Sequence, residues 1–318
     1  MVCLQAQVRA VDQRVGGSGV YSQEAAQVRV AAGYVPRLCR QLALGRFRRD
    51  LTPATGKPQY LLGFDGPAAP GLTVAGTVVL KVYGRPRPGE AALQAHWYAR
   101  GLPTPAVLDF ADEPVSWLLM AYQPSAPVSV GSAAGVLELT RELASIMVRV
   151  HAEGVVAVPG ARPLTAGVLP HLEAVTESLS RHGYPLPRGW RQGARAAYGA
   201  GTPVTLHGDL FPGNLLGTAS GLQLVDACGY LGDPGFDAAR WAVRVGTGTC
   251  QPEAVLDAWL AVAGEQDRAV ARRMLAVESL MQAGVREIMK DERGEPAEAE
   301  DPETVRLLAA AEQLGGSR

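Results

Sequence analysis

Leu206-His207-Gly208-Asp209-Leu210-Phe211-Pro212-Gly213-Asn214, followed by Leu224-Val225-Asp226, is the stretch that decides the fold of this chain. Asp209 and Asn214 stand five residues apart across a Pro-Gly loop, a spacing that can aim a carboxylate and a carboxamide into one site. An Asn side chain is a neutral oxygen donor suited to a hard Mg²⁺ ion. Leu222-Gln223-Leu224-Val225 alternates like a strand and would deliver Asp226 as a second, charged ligand. Groups of this kind suit phosphoryl transfer. That chemistry needs a carboxylate at the attacking hydroxyl, oxygen ligands for metal on the phosphates, and a cation on the phosphates left behind.

Asn214 is the single asparagine in 318 residues, and only three of the 30 basic residues are lysine: Lys57, Lys81 and Lys290. So Arg-, Ala- and Gly-heavy a composition suggests a GC-rich coding sequence, in which a Lys or Asn is a position to weigh for chemistry. Lys81 is one such position. It interrupts the apolar run Val78-Val79-Leu80-Lys81-Val82, an awkward place for a solvated ammonium group and a natural one for a lysine reaching nucleotide phosphates. An edge-strand lysine is the other reading.

Hydrophobic residues make up 47% of the chain and charged residues 19%, enough apolar surface for a substantial core. The net charge of −1 gives no global pull toward nucleic acid or an acidic membrane. Cys3, Cys39, Cys228 and Cys250 form no C-x-x-C pair, so neither a disulfide framework nor a zinc site is expected and a reducing cytoplasm is the simpler setting. The first residues lack a signal-peptide core, and no stretch reaches the roughly 18 apolar residues of a membrane span.

Residues 1–33 read as a leader of uncertain structure. From 34 to 122 the text predicts short strands at Gln59–Phe64, Thr77–Tyr83 and Ser116–Tyr122, with a helix over Gly89–Arg100. Gln123–Val130, with two prolines, reads as a hinge into a larger part, 123–318. Leu139, Leu143, Ile146, Met147 and Val150 then form a helical stripe ending near His151. Further helices are expected over 163–200, short strands over 204–226, and mainly helix beyond 234. The fold class is α+β, a small strand-rich lobe followed by a larger helical one.

H-G-D-x-x-x-x-N, an apolar strand ending in Asp226, and Gly232-Asp233-Pro234-Gly235-Phe236-Asp237 together resemble the aminoglycoside phosphotransferase group of the protein-kinase-like fold. The resemblance implies Asp209 as catalytic base and Asn214 and Asp226 as Mg²⁺ ligands. It implies His207 as a loop-holding residue, with Asp233 and Asp237 bracing the loop and the helix behind it. It pairs Lys81 with Glu90, sets the strand through Met120 and Tyr122 beside the nucleotide base, and implies ATP or GTP as phosphoryl donor. A helix-capping role is the alternative for Glu90, and burial alone could explain Met120 and Tyr122.

The resemblance covers about residues 76–243 and leaves the phosphate-covering loop unassigned. Gly16-Gly17-Ser18-Gly19 is too distant from Lys81, and the basic turn Arg46–Lys57 is the better candidate. A protein kinase is disfavoured, because seven residues from Asp226 to Asp233 leave no room for an activation segment. The acceptor is expected to be a small sugar-like molecule, in particular a sugar-containing antibiotic; a metabolic sugar kinase and a catalytically silent nucleotide-binding pseudokinase are the alternatives. Residues 155–203 carry five arginines against two acids, which suits a neutral or anionic acceptor, whereas seven acids from Asp291 to Glu303 pull the other way. His96, His151, His171 and His182 are expected to be surface or packing residues, and Cys228 a packing residue.

Overall fold

A computed structural model describes residues 22–51, 59–65, 76–84, 86–87, 89–128, 130–246, 250–264, 267–293 and 301–312. By internal contacts the chain divides into two units. One holds the described residues up to Ser125 together with Val158–Gly160, and the other holds 126–157 and everything from Ala161 onward. The change falls three residues beyond the expected hinge start, because Ala126–Pro127 (β6) pairs with a strand of the second unit.

In the first unit, β1 (Phe47–Asp50), β2 (Gln59–Asp65), β3 (Thr77–Tyr83), β4 (Val107–Ala111) and β5 (Trp117–Ala121) form an antiparallel sheet in the order β1-β2-β3-β5-β4. Successive side chains of a strand point to opposite faces. Val78, Leu80 and Val82 therefore join Tyr60, Leu62, Phe64, Trp117 and Leu119 on one face. There they pack against Ala31, Val35, Leu38 and Leu42, an i, i+4, i+7, i+11 stripe carried by α1 (Ser22–Gln41) and the residue after it. Residues 22–33, read as leader, thus belong to this helix. On the other face Val79, Leu118 and Met120 pack with Ala91 of α2 (Glu90–Ala99). Lys81 shares the parity of Val79, so its side chain goes with the α2 face.

The second unit is mainly helical: α3 (Ala133–His151), the short α4 (Leu164–Gly167), α5 (Leu169–Arg181), α6 (Trp190–Tyr198), α7 (Gly235–Gly246), α8 (Pro252–Ala263), α9 (Arg268–Arg293) and α10 (Pro302–Ala311). The 26-residue α9 packs against α5, α6, α7 and α10. Two small sheets carry the loops of interest. β9 (Leu215–Thr218) lies between β10 (Gly221–Leu224) and β6, and β11 (Tyr230–Gly232) lies between β7 (Arg162–Pro163) and β8 (Val204–Thr205). Residues 206–214 leave β8 and enter β9, while Asp226 lies between β10 and β11. Among the described residues no helix is long and apolar enough to cross a membrane.

Candidate active site

The 206–214 loop is held by backbone bonds at both ends. Leu206 N donates to Tyr230 O at 2.8 Å, Cys228 N to His207 O at 2.6 Å, and Val225 N to Asn214 O at 3.1 Å. Gly208 adopts a φ of +80°, and a Cβ there would come within 2.7 Å of the Tyr230 ring and 3.2 Å of Cys228 Cβ. Only glycine satisfies both the left-handed backbone and the space.

Asp237, fully buried on α7, receives the His207 N–H on Oδ2 at 2.9 Å and the Gly208 N–H on Oδ1 at 2.8 Å. Burial opposes its charge, but the bond from His151 and the neighbouring imidazoles outweigh that and hold its carboxyl below the usual range. His151 Nε2 lies 3.0 Å from Asp237 Oδ2. His151, grouped in sequence with ordinary surface or packing histidines, is therefore a partner of this buried anion. His207 is equally buried. Its Nε2 meets Val225 O at 3.0 Å, and its Nδ1 faces the Asp209 N–H at 3.3 Å. A carbonyl on one side and an amide donor on the other fix the neutral tautomer with the proton on Nε2. Burial pushes this imidazole's pKa down, in the same sense. Asp233 Oδ1 accepts the Gly235 N–H at 2.8 Å at the start of α7, and burial raises its pKa.

Asn214 binds Asp209 twice, its Nδ2 donating to the Asp209 carbonyl at 2.8 Å and to Oδ2 at 3.1 Å. Both amide protons are thereby spent, and the carboxamide oxygen is the atom left for a ligand. Asp226 has a φ of +63°, one of only two non-glycine residues with positive φ among those described. An aspartate tolerates that region better than most residues, and such positions gather at functional sites. Among the described residues no group of three or more His, Cys, Asp or Glu side chains forms a metal cage. The donor set of one carboxamide and one carboxylate nevertheless fits Mg²⁺, which takes one or two protein oxygens and fills its shell with water and phosphate.

Two arginines of α7, unremarked in the sequence, complete the surroundings of Asp209. Arg240 Nη1 lies 3.6 Å and Arg244 Nη2 3.3 Å from Asp209 Oδ1. Arg240 is buried and also bonds Glu278 Oε2 at 2.9 Å and the Gly208 carbonyl at 2.9 Å. Glu278 in turn accepts from Tyr198 Oη at 3.0 Å. The D-x-x-R-x-x-x-R spacing from Asp237 places both arginines one helical turn apart, which was the available signal.

In the first unit, Lys81 is 1% exposed and its Nζ lies 2.7 Å from Glu90 Oε1, which also accepts from Tyr83 Oη. Arg87 approaches Glu90 Oε2 at 3.6 Å. Met120 Sδ accepts from Gln94 Nε2 at 3.1 Å, so its side chain is engaged with α2. The N–H groups of Ala121 and Tyr122 donate to Ala106 O and Thr77 O. Of the basic turn, Arg48 pairs with Asp65 at 2.6 Å and Arg49 stacks on Tyr122 at 4.8 Å; Gly56 and Lys57 lie outside the described residues, as does Gly16–Gly19. Of the C-terminal acids, Asp291 meets His182 at 2.8 Å, Asp301 caps α10 and pairs with Arg286, and Glu303 pairs with Arg306.

The sequence pattern of the phosphotransferase enzyme family, APH, matches residues 71–274. The chain belongs to this family. The solved structures agree in fold. A choline/ethanolamine kinase family protein from Mesorhizobium loti is 20% identical, with 92% of this chain and 99% of that one covered and a TM-score of 0.52. A putative fructosamine-3-kinase from Thermobifida fusca YX-ER1 is 16% identical over 88% and 98%, with a TM-score of 0.52. A thermostable mutant of aminoglycoside phosphotransferase APH(4)-Ia, in ternary complex with ADP and hygromycin B, is 14% identical over 90% and 100%, with a TM-score of 0.54. No curated protein sequence matches. This phosphotransferase is an α+β protein of the kinase-like fold and a small-molecule kinase.

Proposed function

We propose that this phosphotransferase moves the terminal phosphoryl group of ATP or GTP to a hydroxyl of a small sugar-like acceptor, with Asp209 as the base. The observation that carries the reading is the pair of hydrogen bonds that Asn214 Nδ2 donates to Asp209, at 2.8 Å to its carbonyl and 3.1 Å to Oδ2. It fixes the carboxylate's orientation while leaving the Asn214 oxygen for metal. Asp209 then orients the acceptor hydroxyl and takes its proton as the oxygen attacks. Asn214 and Asp226 would hold Mg²⁺, which when bound would neutralise charge on the phosphate oxygens. Lys81, set by Glu90, donates to the phosphates that stay with the nucleotide. His207, Asp233 and Asp237 act by holding backbone.

The acceptor we favour is a sugar-containing antibiotic that is not a polyamine, and its phosphorylation would confer resistance. The hygromycin B complex among the similar folds supports sugar-bearing acceptors, and the five-to-two arginine excess over 155–203 argues against polycations. A cytoplasmic setting fits Cys39 and Cys250, both thiols among the described residues. The test is transfer from ATP and GTP to a panel of glycosidic and nucleoside antibiotics, aminoglycosides and free sugars. Transfer to sugar hydroxyls of the less cationic compounds is expected. Nucleotide binding with no transfer to any acceptor would identify a binding module instead.

A further inference from the structure

Arg240 and Arg244 reach the same oxygen of Asp209, but their surroundings differ. Arg240 is buried, with its charge met by Glu278 at 2.9 Å and its Nη1 by the Gly208 carbonyl. Arg244 is more open, its side chain 29% exposed, with its guanidinium 5.0 Å from the centre of the Phe211 ring. Among the described residues its one ion-pair partner is Asp209, at 3.3 Å. Asp209 is the carboxylate assigned to the acceptor, so Arg244 stands at the point where the acceptor must arrive.

Among the described residues Arg240 and Arg244 both approach Asp209, and Glu278 is committed to Arg240 and Tyr198. Among the described residues Arg244 shares its one carboxylate partner with Arg240. Burial and then the charge of Arg240 push its pKa down, more than Asp209 pulls it up. His171 reports the same field, its imidazole pushed down by burial, by Arg240 and by Arg244 against the opposing Glu278. Arg162 adds a further cation near the loop, stacked 5.6 Å from the Tyr230 ring that abuts Gly208. Such a site stabilises an incoming anion and repels an ammonium group. A planar, half-buried guanidinium lying on an aromatic ring is also suited to bidentate recognition of an oxyanion.

We infer that Arg244 recognises an oxyanion, a carboxylate or phosphate group, carried by the acceptor close to the hydroxyl that meets Asp209, so that the preferred acceptors are acids. The inference rests on Asp209 as the base and narrows the acceptor class beyond a non-polycationic sugar. It makes Arg244 a specificity residue. An Arg244 that merely oriented Asp209 would affect charged and uncharged acceptors alike.

The test uses matched sets on gluco, galacto and ribo frameworks: the uronic acid, its primary amide, the amino sugar and the sugar phosphate. Each is assayed for phosphoryl transfer and, with Mg²⁺ and ADP present, for binding by calorimetry. For wild type the acids or sugar phosphates should exceed the amides by about tenfold or more in kcat/KM, mainly through KM, with amino sugars last. The arms for uronic acids and sugar phosphates show which oxyanion is meant. Arg244→Gln should bring the acid-to-amide ratio to about one, and Arg244→Lys should keep part of it. Equal binding of acid and amide to wild type, or a preference that persists in Arg244→Gln, would overturn the inference. The binding measurement decides this even if a variant has lost transfer. An Asp209→Asn enzyme that still transfers phosphate would instead overturn the assignment of the base.

Discussion

Asp237 Oδ1 lies 2.8 Å from the backbone nitrogen of Gly208, so a helix carboxylate holds the left-handed turn that opens the Asp209 loop. Oδ2 holds His207 N and His151 in addition, which makes Asp237 the shared acceptor of three donors or potential donors. Asp237→Ala would strand two buried N–H groups, each costing about 1–3 kcal/mol. We expect a lower urea midpoint and a loss of transfer greater than the loss of nucleotide binding. A fully stable, fully active Asp237→Ala protein would show that the loop is held by other means.

The pH dependence of stability has a definite sign. The unfolded His207 takes a proton near its ordinary pKa of 6.5, while burial lowers that of the folded imidazole. The unfolded state then binds more protons in the window below 6.5, so stability should fall as pH drops through it, until the folded imidazole itself is protonated. His171 acts in the same direction and window. Asp237, also lowered when folded, costs stability only below its ordinary value of 3.8. His207→Gln should flatten part of the slope below pH 6.5 in urea titrations. An unchanged slope would contradict the neutral, buried imidazole.

Lys81 and Glu90 form a buried ion pair at 2.7 Å. Removing one partner of such a pair costs about 3–5 kcal/mol because the other charge is left uncompensated, whereas replacing both by apolar residues can be near neutral. Glu90→Leu should therefore destabilise the chain more than the double change Lys81→Met with Glu90→Leu. Both should raise the KM for nucleotide, since the lysine is lost or misplaced. Additive single-mutant costs in the cycle would show that the two do not act as a unit.

Asn214 and Asp226 should differ in their effect on metal use. Asp226→Asn removes a charge from the ion's shell, and Asn214→Ala removes a neutral oxygen along with the bonds that hold Asp209. The first should shift the Mg²⁺ activation curve to higher concentration more strongly, and the second should also lower the rate at saturating Mg²⁺. Wild-type Mg²⁺ curves for both variants would remove them as ligands.

The parts legible in sequence were those written locally. A β-branched run with one lysine marks the middle of β3, which spans Thr77–Tyr83 as expected, and the nine-residue step to Glu90 reaches the first turn of α2. The 206–214 loop reads directly because its Gly, Pro and Asn each set a turn or a bond. Other parts were hidden by competing signals. In α1, Gly33 and Pro36 interrupt a helix whose buried stripe only the sheet makes decisive. β1 is Phe-Arg-Arg-Asp, an edge strand with little burial and hence no alternation to read. Arg240 meets Glu278 across 38 positions, and His151 meets Asp237 across 86, so only folding brings those groups together.

The measurement closest to the central claim compares wild type with Asp209→Asn, which keeps the side chain's size and removes its capacity as a base. Nucleotide affinity is read by calorimetry with Mg²⁺, and transfer by single-turnover release of ADP with a competent acceptor. The account predicts nucleotide affinity close to wild type and a transfer rate lowered by roughly 10²–10⁴. Transfer at the wild-type rate, or a loss of nucleotide binding that accounts for the whole defect, would contradict it.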